Sequence, residues 1–509
     1  MPLVGKVGRK RARARIAMGV IYTILILGAL TTIYPFLLMV TTGFTGPTDQ
    51  NENKLIPAFW SDAQKVEDKF FDDKYAGNAS YLAMVKARPE DGKQLAEYEK
   101  FLTELDPMQW HAGFRTAPNQ VTSKLSLKYQ SWLRDKFSSI DKLNVAYIEE
   151  NIAFQTVQPP IEQLDKKGWK PRVGQKWADW LEFKKSLGPE FRIPMLRSRM
   201  VQEYIRAKYQ NQIGQVPPEI AGPAKTFEEL RIDPQSEIFK EFEAKALPDG
   251  LKDGGPEARW DAKFGTVMPV RSFDQQFVVA HSSEIKSEFT SRNYRYVLDY
   301  MLINGRAIAN TALFCCLVIL THLIVNPLAA YALSRYPLPS SGKILIFLLA
   351  TMAFPAEVAM IPSFLLLKDL HLLNTFAALV LPGAASGYMI FLLKGFFDSL
   401  PQELYESGQL DGAKEWTMLR KIALPLSKPV LGYLALLSFM GAYGAFMYAF
   451  LVCQDRSMWT IMVFIYQLQN TAPKAVMMAA VTIAAIPTLI VFLLCQRVIM
   501  RGIVLPGER

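Results

Sequence analysis

Cysteine is scarce, and it is missing where a disulfide framework would matter. Cys315, Cys316, Cys453 and Cys495 all sit in apolar runs, and residues 49–300 contain none. A disulfide-stapled fold is therefore excluded for that stretch, and the four thiols read as small apolar groups. Histidine is equally sparse. His111, His281, His322 and His371 are scattered without metal-ligand spacing, which argues against a zinc site. No G-x-x-x-x-G-K-[ST] phosphate loop occurs. Ser341-Gly342-Lys343 lacks the preceding glycine and the following hydroxyl, so the chain is not expected to bind ATP itself. No cofactor and no catalytic residue is expected.

Half of the residues are apolar, and the net charge is +10. Residues 49–300 are close to charge balance, so the positive excess falls on the segments that carry long apolar runs. An ordinary soluble enzyme with a basic face is excluded, and nucleic acid is a poor explanation for the charge. A membrane protein with cationic cytoplasmic flanks fits both facts. The N-terminus reads Lys6, Arg9, Lys10, Arg11, Arg13, Arg15 and then runs apolar from Ile16 to Thr42. A secretory signal has an apolar core of about 7–15 residues and a small-residue cleavage site. This run is longer, lacks an A-x-A pattern near its end and is long enough to cross about 30 Å of hydrocarbon. It is expected to be a retained first helix (16–42), with the basic tail (1–15) inside the cell.

After Gly43 the composition shifts to Lys, Glu, Asp, Gln and aromatics, and long apolar runs return near Met301. Helices are expected at about 303–333, 344–366, 374–397, 429–452 and 476–499, six crossings in all. Arg335, Lys343, Lys394, Lys414, Arg420, Lys421, Lys428, Arg497, Arg501 and Arg509 fall on one side of this arrangement, against Lys368, Arg456 and Lys474 on the other. The positive-inside rule then puts both termini and the 394–428 loop in the cytoplasm and residues 43–300 outside. The expected fold is an all-α polytopic membrane protein: six transmembrane helices, with a mainly helical extracytoplasmic insert (43–300) before a five-helix core (301–509). Pro355, Pro362, Pro382 and Pro487 lie in or at the ends of these helices. A broken helix in lipid needs protein or water to satisfy its freed carbonyls, so such helices line a pathway or carry a packing kink.

The 398–428 segment is too polar to cross and too patterned to be a linker. Ser399 with Gln402 reads as a capping box, with Pro401 in the first turn. Leu404, Tyr405 and Leu410 form a short apolar stripe. Asp411-Gly412 is a stop, because glycine takes the positive φ of a helix C-terminus. A second short helix is expected from about Ala413 to Ile422, with Trp416 and Leu419 on one side and Pro425 ending it. The segment is thus a helix-turn-helix elbow with large apolar groups to bury.

The spacing Glu406-Ser407-Gly408-x3-Gly412-x9-Ile422-x-Leu424-Pro425 resembles the EAA loop of ABC-importer permeases, with Ser-Gly in place of Ala-Ala. Tyr331-Ala-Leu-Ser-Arg335-Tyr, Phe354-Pro355-x6-Pro362, Leu424-Pro425-Leu-Ser-Lys428-Pro429 and Gln496-Arg497-x4-Gly502 are similar to the maltose-type sugar permease subunit. Where that family usually carries Trp-Asn in the fifth helix, this chain has Tyr443-Gly444, which loses an amide able to hold a polar ligand. The resemblance implies a permease subunit in a bacterial inner (plasma) membrane, not an enzyme, without an ATP site of its own and with ATP hydrolysis in a partner chain. It implies ABC ATPase subunits, a second permease as heterodimer partner, an extracytoplasmic solute-binding protein and surrounding lipid as partners, and a sugar or oligosaccharide as cargo. Glu406 and Asp411 would pair with basic groups on the ATPase, while Trp416 and Leu419 fill its groove. Tyr388, Tyr443, Phe446 and Tyr448 are candidates for the substrate pathway, since a tyrosine ring suits a sugar face and its hydroxyl donates; each also fits ordinary helix packing.

The insert reads as mainly helical. Leu125, Tyr129, Trp132, Leu133, Phe137 and Ile140 recur at helical spacing, and Ser138 with Asp141 looks like a fresh helix start. Trp177, Trp180 and Phe183, then Val201, Tyr204, Ile205 and Tyr209, give two further amphipathic stretches. Pro159-Pro160, Pro217-Pro218 and Pro248 to Pro256 separate them. Weak strand patterns occur at Val267–Val270 and Phe277–Val279. Tyr129 to Asn144 is similar to a helical stretch of bacterial β-galactosidases with barrel folds, and Trp180 to Tyr209 is similar to the part that follows it, without the strand ends that would carry catalytic carboxylates. A membrane-anchored glycan-binding or glycan-acting module is therefore the competing expectation; a mere anchor, however, needs one crossing and no elbow.

Overall fold

The structure is a computed structural model that describes residues 12–46, 49–76, 79–90, 92–115, 123–303, 306–336, 338–353, 355–470 and 472–501. The start of the basic tail, Phe354 and the segment from Gly502 onward lie outside the described residues. The chain divides into two compact units, one of Met1–Tyr296 with Thr471–Ala479, the other of Val297–Asn470 with Ala480–Arg509.

The first unit begins with a helix, Ala12–Thr42, whose apolar side chains lie exposed along most of its length, Leu25 and Leu27 among them. Shorter helices follow, and their starts are set by side-chain caps. Asp62 accepts from the Gln64 and Lys65 amides at 2.9 and 3.4 Å to open Ala63–Lys74. Ser123 accepts from Ser126 N at 3.0 Å to open Lys124–Phe137. Each such bond satisfies one of the donors that a helix start leaves unpaired. The helical spacing read from the sequence corresponds to real buried faces: Leu125, Tyr129 and Leu133 on Lys124–Phe137, Trp180 and Phe183 on Gln175–Ser186, Val201 and Ile205 on Arg197–Lys208.

Three expectations for this unit need correction. The fresh helix start is capped by Ser139, while Ser138 ends the preceding helix in the left-handed region at φ +59°. The 267–270 and 277–279 segments are not strands; Val270–Ala280 is a helix whose buried face carries Phe273 and Val278. Among the described residues the strand pairing is a short antiparallel ladder of Trp110–Ala112 with Arg192–Pro194, in register Trp110↔Pro194. Three-residue strands carry too little alternation to be read in advance.

Among the described residues the unit holds two apolar cores. One gathers Trp110, Trp180, Trp260, Tyr129 and Phe183; the other gathers Val201, Ile205, Phe239 and Phe242. The ends of the insert are tied together. Asn293 donates to Gly43 O at 3.0 Å and to Thr45 O at 2.6 Å, and Tyr294 donates to Val40 O at 2.9 Å. The chain thus leaves the first helix and returns beside its end.

In the second unit the helices are Ala307–Arg335, Ser341–Met352, Ala356–Asp369, Phe376–Val380, Gly387–Asp398, Lys428–Tyr443, Met447–Val452 and Ile461–Gln469, and the last helix of the chain is Lys474–Arg501. Among the described residues, three helices are long and apolar enough to cross a membrane: Met18–Thr42, Ala307–Arg335 and Lys474–Gln496. Counting each bent pair as one span gives up to five. The expected continuous helices at 344–366, 374–397 and 429–452 are each broken. Pro355 caps Ala356–Asp369 and separates it from Ser341–Met352, since a proline nitrogen has no hydrogen for the preceding turn. Phe376–Gly383 meets Gly387–Asp398 at 51°, with Pro382 at the break. Lys428–Tyr443 stops before Gly444, and Met447–Val452 resumes after it.

Candidate functional site

The 398–428 elbow is built from two arms around one glycine. The first arm is Glu403–Leu410, and Asp411 caps it. Gly412 then adopts φ +78°, the left-handed region that glycine enters at no steric cost. Its N–H donates to Gln409 O and the Ala413 N–H to Gly408 O, both at 2.9 Å. These two bonds form a Schellman motif, which satisfies carbonyls that the helix end would otherwise leave unpaired. The predicted stop at Asp411-Gly412 is therefore where the structure turns.

Other details of the elbow differ from expectation. Ser399 does not cap the first arm; it ends the preceding helix, and its hydroxyl donates to Phe396 O at 2.7 Å. The second arm starts at Glu415, passes through a π turn at Leu419–Ala423 and continues to Leu426, so Pro425 does not end it. The wide turn accommodates Pro425, whose ring would collide with the carbonyl four residues back in a regular α-helix. The sharp bend, 79°, comes between Leu426 and Lys428.

Burial sorts the candidate coupling residues into three groups. Glu406, Ser407, Asp411, Gly412, Trp416 and Pro425 are exposed; Gly408, Ile422 and Leu424 are half-buried. Trp416 is 62% exposed and Leu410, beside the turn, is 89% exposed. Leu419 does not share that face. It is 3% exposed and lies in a core with Tyr405, Met418 and Ala423, so it cannot fill a partner's groove in this conformation. Its side chain faces the first arm and the neighbouring helices, while Trp416, three residues earlier, points away from them. At Gly408 a Cβ would stand 3.3 Å from Ile422 Cδ1, so the two arms meet at the smallest side chain of the motif. Glu406 accepts from Gln402 Nε2 at 2.8 Å and retains an exposed carboxylate.

One feature of the elbow was not legible in the sequence. The last turn of Ala307–Arg335 reaches across to it. Tyr331 donates to Glu415 Oε2 at 2.9 Å, and the Arg335 guanidinium carbon sits 3.4 Å from the centre of the Tyr405 ring. The Tyr331…Arg335 motif was visible in the sequence, but its partners lie more than sixty residues away.

The pathway candidates also divide. The Tyr443 hydroxyl donates to Ala484 O, and the Tyr448 hydroxyl donates to Ala378 O at 2.9 Å. Both donors are therefore engaged in helix packing. Tyr388 keeps part of its surface open. Phe446 belongs to an aromatic cluster with Phe450 and Tyr466 at ring separations of 5.0–5.8 Å. Phe450 and Tyr466, both partly exposed, were not singled out from the sequence because neither belongs to a recognisable motif. Nearby, Gly444–Phe446 interrupts the helix.

The family described as binding-protein-dependent transport system inner membrane component matches residues 326–504, a span that contains the whole elbow. The probable ABC transporter permease protein YurM of Bacillus subtilis (strain 168) is 32% identical over 197 residues, 38% of this chain and 64% of that protein. The match thus spans just under two thirds of that relative. The trehalose/maltose transport system permease protein MalG of Thermococcus litoralis is 34% identical over 242 residues, 46% of this chain and 87% of MalG. The sn-glycerol-3-phosphate transport system permease protein UgpE of Yersinia pestis is 33% identical over 206 residues, 39% of this chain and 73% of UgpE. The chain belongs to this family of membrane-embedded permease subunits of ABC importers. It is a transport subunit rather than an ATPase, and the anchored glycan module is not favoured.

Proposed function

We propose that the elbow is the docking element through which an ABC ATPase subunit drives this permease, and that the cargo is a sugar or a similarly hydroxyl-rich solute. The observation that carries the reading is the exposure of Trp416 and Leu410 on either side of the Gly412 turn. Large apolar groups held on a rigid, polar elbow have no burial site within the chain, which marks an interaction surface. Glu406 and Asp411 beside them would meet basic groups on the ATPase, which supplies the hydrolysis. The substrate class follows from the named cargoes of the relatives, trehalose/maltose and sn-glycerol-3-phosphate, which share a hydroxyl-rich carbon chain. The aromatic cluster of Phe446, Phe450 and Tyr466 offers faces suited to such a solute.

In this reading six crossings hold the chain in a bacterial inner membrane, counting each broken helix as one. The termini and the elbow face the cytoplasm, and the 43–300 insert lies outside, where it receives a solute-binding protein. A second permease subunit completes the pathway. The test is co-purification with the candidate ATPase. Trp416 is exposed, so Trp416→Ala should leave the chain folded yet weaken ATPase binding by about 30-fold, the effect of losing a central aromatic anchor of about 2 kcal/mol. Undiminished binding by Trp416→Ala would remove the elbow as the docking site.

A further inference from the structure

The Ala307–Arg335 helix makes polar side-chain contacts at two separate places along its length. Its last turn presents Tyr331, Ser334 and Arg335 at i, i+3 and i+4, hence on one face. Tyr331 donates to Glu415 Oε2 at 2.9 Å, at the first residue of the second arm. Arg335 stacks on Tyr405 of the first arm and donates to Phe397 O at 2.9 Å. Ser334 donates to Asp398 Oδ1 at 2.6 Å. One helix end therefore grips both arms of the elbow and the end of Gly387–Asp398. A planar guanidinium over a ring, flanked by two short hydrogen bonds, resists sliding in a way that apolar packing alone does not.

The same helix grips a second place. His322 lies nine residues before Tyr331, which along a helix is about 13 Å. Its Nδ1 is 2.8 Å from Ser438 Oγ on Lys428–Tyr443, and its Nε2 is 2.8 Å from Gly383 O at the break of the bent pair. Asn326, fully buried, accepts from Ser386 N at 2.8 Å on the other side of that break. His322 and Asn326 thus bind both lips of the 51° bend.

We infer that Ala307–Arg335 is a push-rod. Tyr331 and Arg335 fasten its end to the elbow, and His322 and Asn326 carry the displacement to the break at 381–386. Tyr331 and Arg335 are positioning residues, acting through the helix rather than on the solute. The inference rests on the reading that the elbow docks an ATPase, and its test separates the two. The full chain, with Cys315, Cys316, Cys453 and Cys495 replaced by alanine, is assembled with its ATPase and second permease. Spin labels are placed at Ala385, beside the break, and at Leu494, an exposed position on the last helix.

Trapping with Mg·ATP and vanadate is expected to shift the distance between the labels in the parent complex. The Tyr331→Phe/Arg335→Lys complex should still co-purify with the ATPase and hydrolyse ATP, but lose that shift. Glu415→Gln, which keeps an acceptor for Tyr331, should retain the shift, whereas Glu415→Ala should lose it with the ATPase still bound and hydrolysing ATP, which a merely structural loss of the elbow would not leave intact. A full shift in the double variant, or equal behaviour of Glu415→Gln and Glu415→Ala, would overturn the push-rod. Failure of the parent chain to bind the ATPase would instead overturn the docking reading, and the push-rod with it.

Discussion

The two units bury polar groups of different kinds. In the first, charged side chains are buried in pairs: Lys74 with Asp274 at 2.6 Å, Arg292 with Asp73 at 2.7 Å, Lys184 with Glu162 at 2.9 Å. In the second, the buried polar residues among those described are Asn310, Thr311, Asn326, Ser427, Ser438, Thr460 and Thr482, all neutral. Their surfaces differ in the opposite sense. The second unit exposes Ile346, Phe347 and Leu494, while the insert of the first is covered mainly with charged and polar side chains. Apolar side chains gain nothing by turning inward when the surroundings are hydrocarbon, and a charge placed there is costly. A watered protein can instead use charge pairs to fix its core. The contrast is that of one chain built for two solvents.

The sharpest way to break the comparison is to strip a charge from the first unit. Lys184 is fully buried, and its ammonium donates to Pro107 O at 2.5 Å, Trp110 O at 2.8 Å and Glu162 Oε1 at 2.9 Å. Lys184→Ala takes from the buried Glu162 carboxylate its lysine partner, leaving it only Arg115 and the Trp180 indole, and should destabilise the unit by about 3–5 kcal/mol. Thermal unfolding of the full chain, followed by tryptophan fluorescence, reads this. A change below 1 kcal/mol would mean that the pair is not fixed as described.

Acid tests the same feature more gently. Burial pushes Glu162 toward protonation, but Lys184 and Arg115, with hydrogen bonds from Lys184 and Trp180, outweigh it and hold the carboxyl below the usual carboxylate range. Burial likewise opposes ionisation of Asp165, yet His111 and Arg199 hold it well below that range. A carboxyl depressed in the folded state stabilises above its unfolded value, about pH 4, and that contribution fades as pH falls further. Asp274 has the opposite sign, since burial raises it despite Lys74, so it resists acid in part. The first unit is expected to lose stability below about pH 4, with Glu162→Gln flattening the slope. Equal slopes for parent and variant would contradict the account. The smallest expected effect lies in the second unit. Ser438→Ala removes a hydroxyl that bonds Leu434 O and His322, and should cost about 0.5–1.5 kcal/mol in the same unfolding measurement.

The parts of the chain readable in sequence are those fixed by local chemistry. The run from Ile16 to Thr42 is helical because it is uniformly apolar, and Gly412 turns because no other residue enters positive φ so easily. The faces of Lys124–Phe137 and Gln175–Ser186 follow the helical period. What escaped was set by distant partners. Leu419 and Trp416 look equivalent by spacing, but Leu419 packs with Tyr405 and Met418 from other parts of the elbow while Trp416 stays exposed. Leu410 looks like part of a buried stripe, yet it stands exposed at the turn. The Tyr331–Glu415 bond joins residues whose separation along the chain leaves no pattern to read. The helix break before Met447 follows Gly444, a residue that helices of membrane proteins also tolerate without breaking.

The most direct measurement asks which side of the membrane each unit faces. Val173 in the insert and Trp416 in the elbow are both highly exposed. Val173→Cys and Trp416→Cys, each introduced into the cysteine-free chain, can be challenged with a membrane-impermeant thiol reagent in right-side-out and inverted vesicles. The account predicts that position 173 reacts only in right-side-out vesicles and position 416 only in inverted ones. Reaction of both positions from the same side would contradict it.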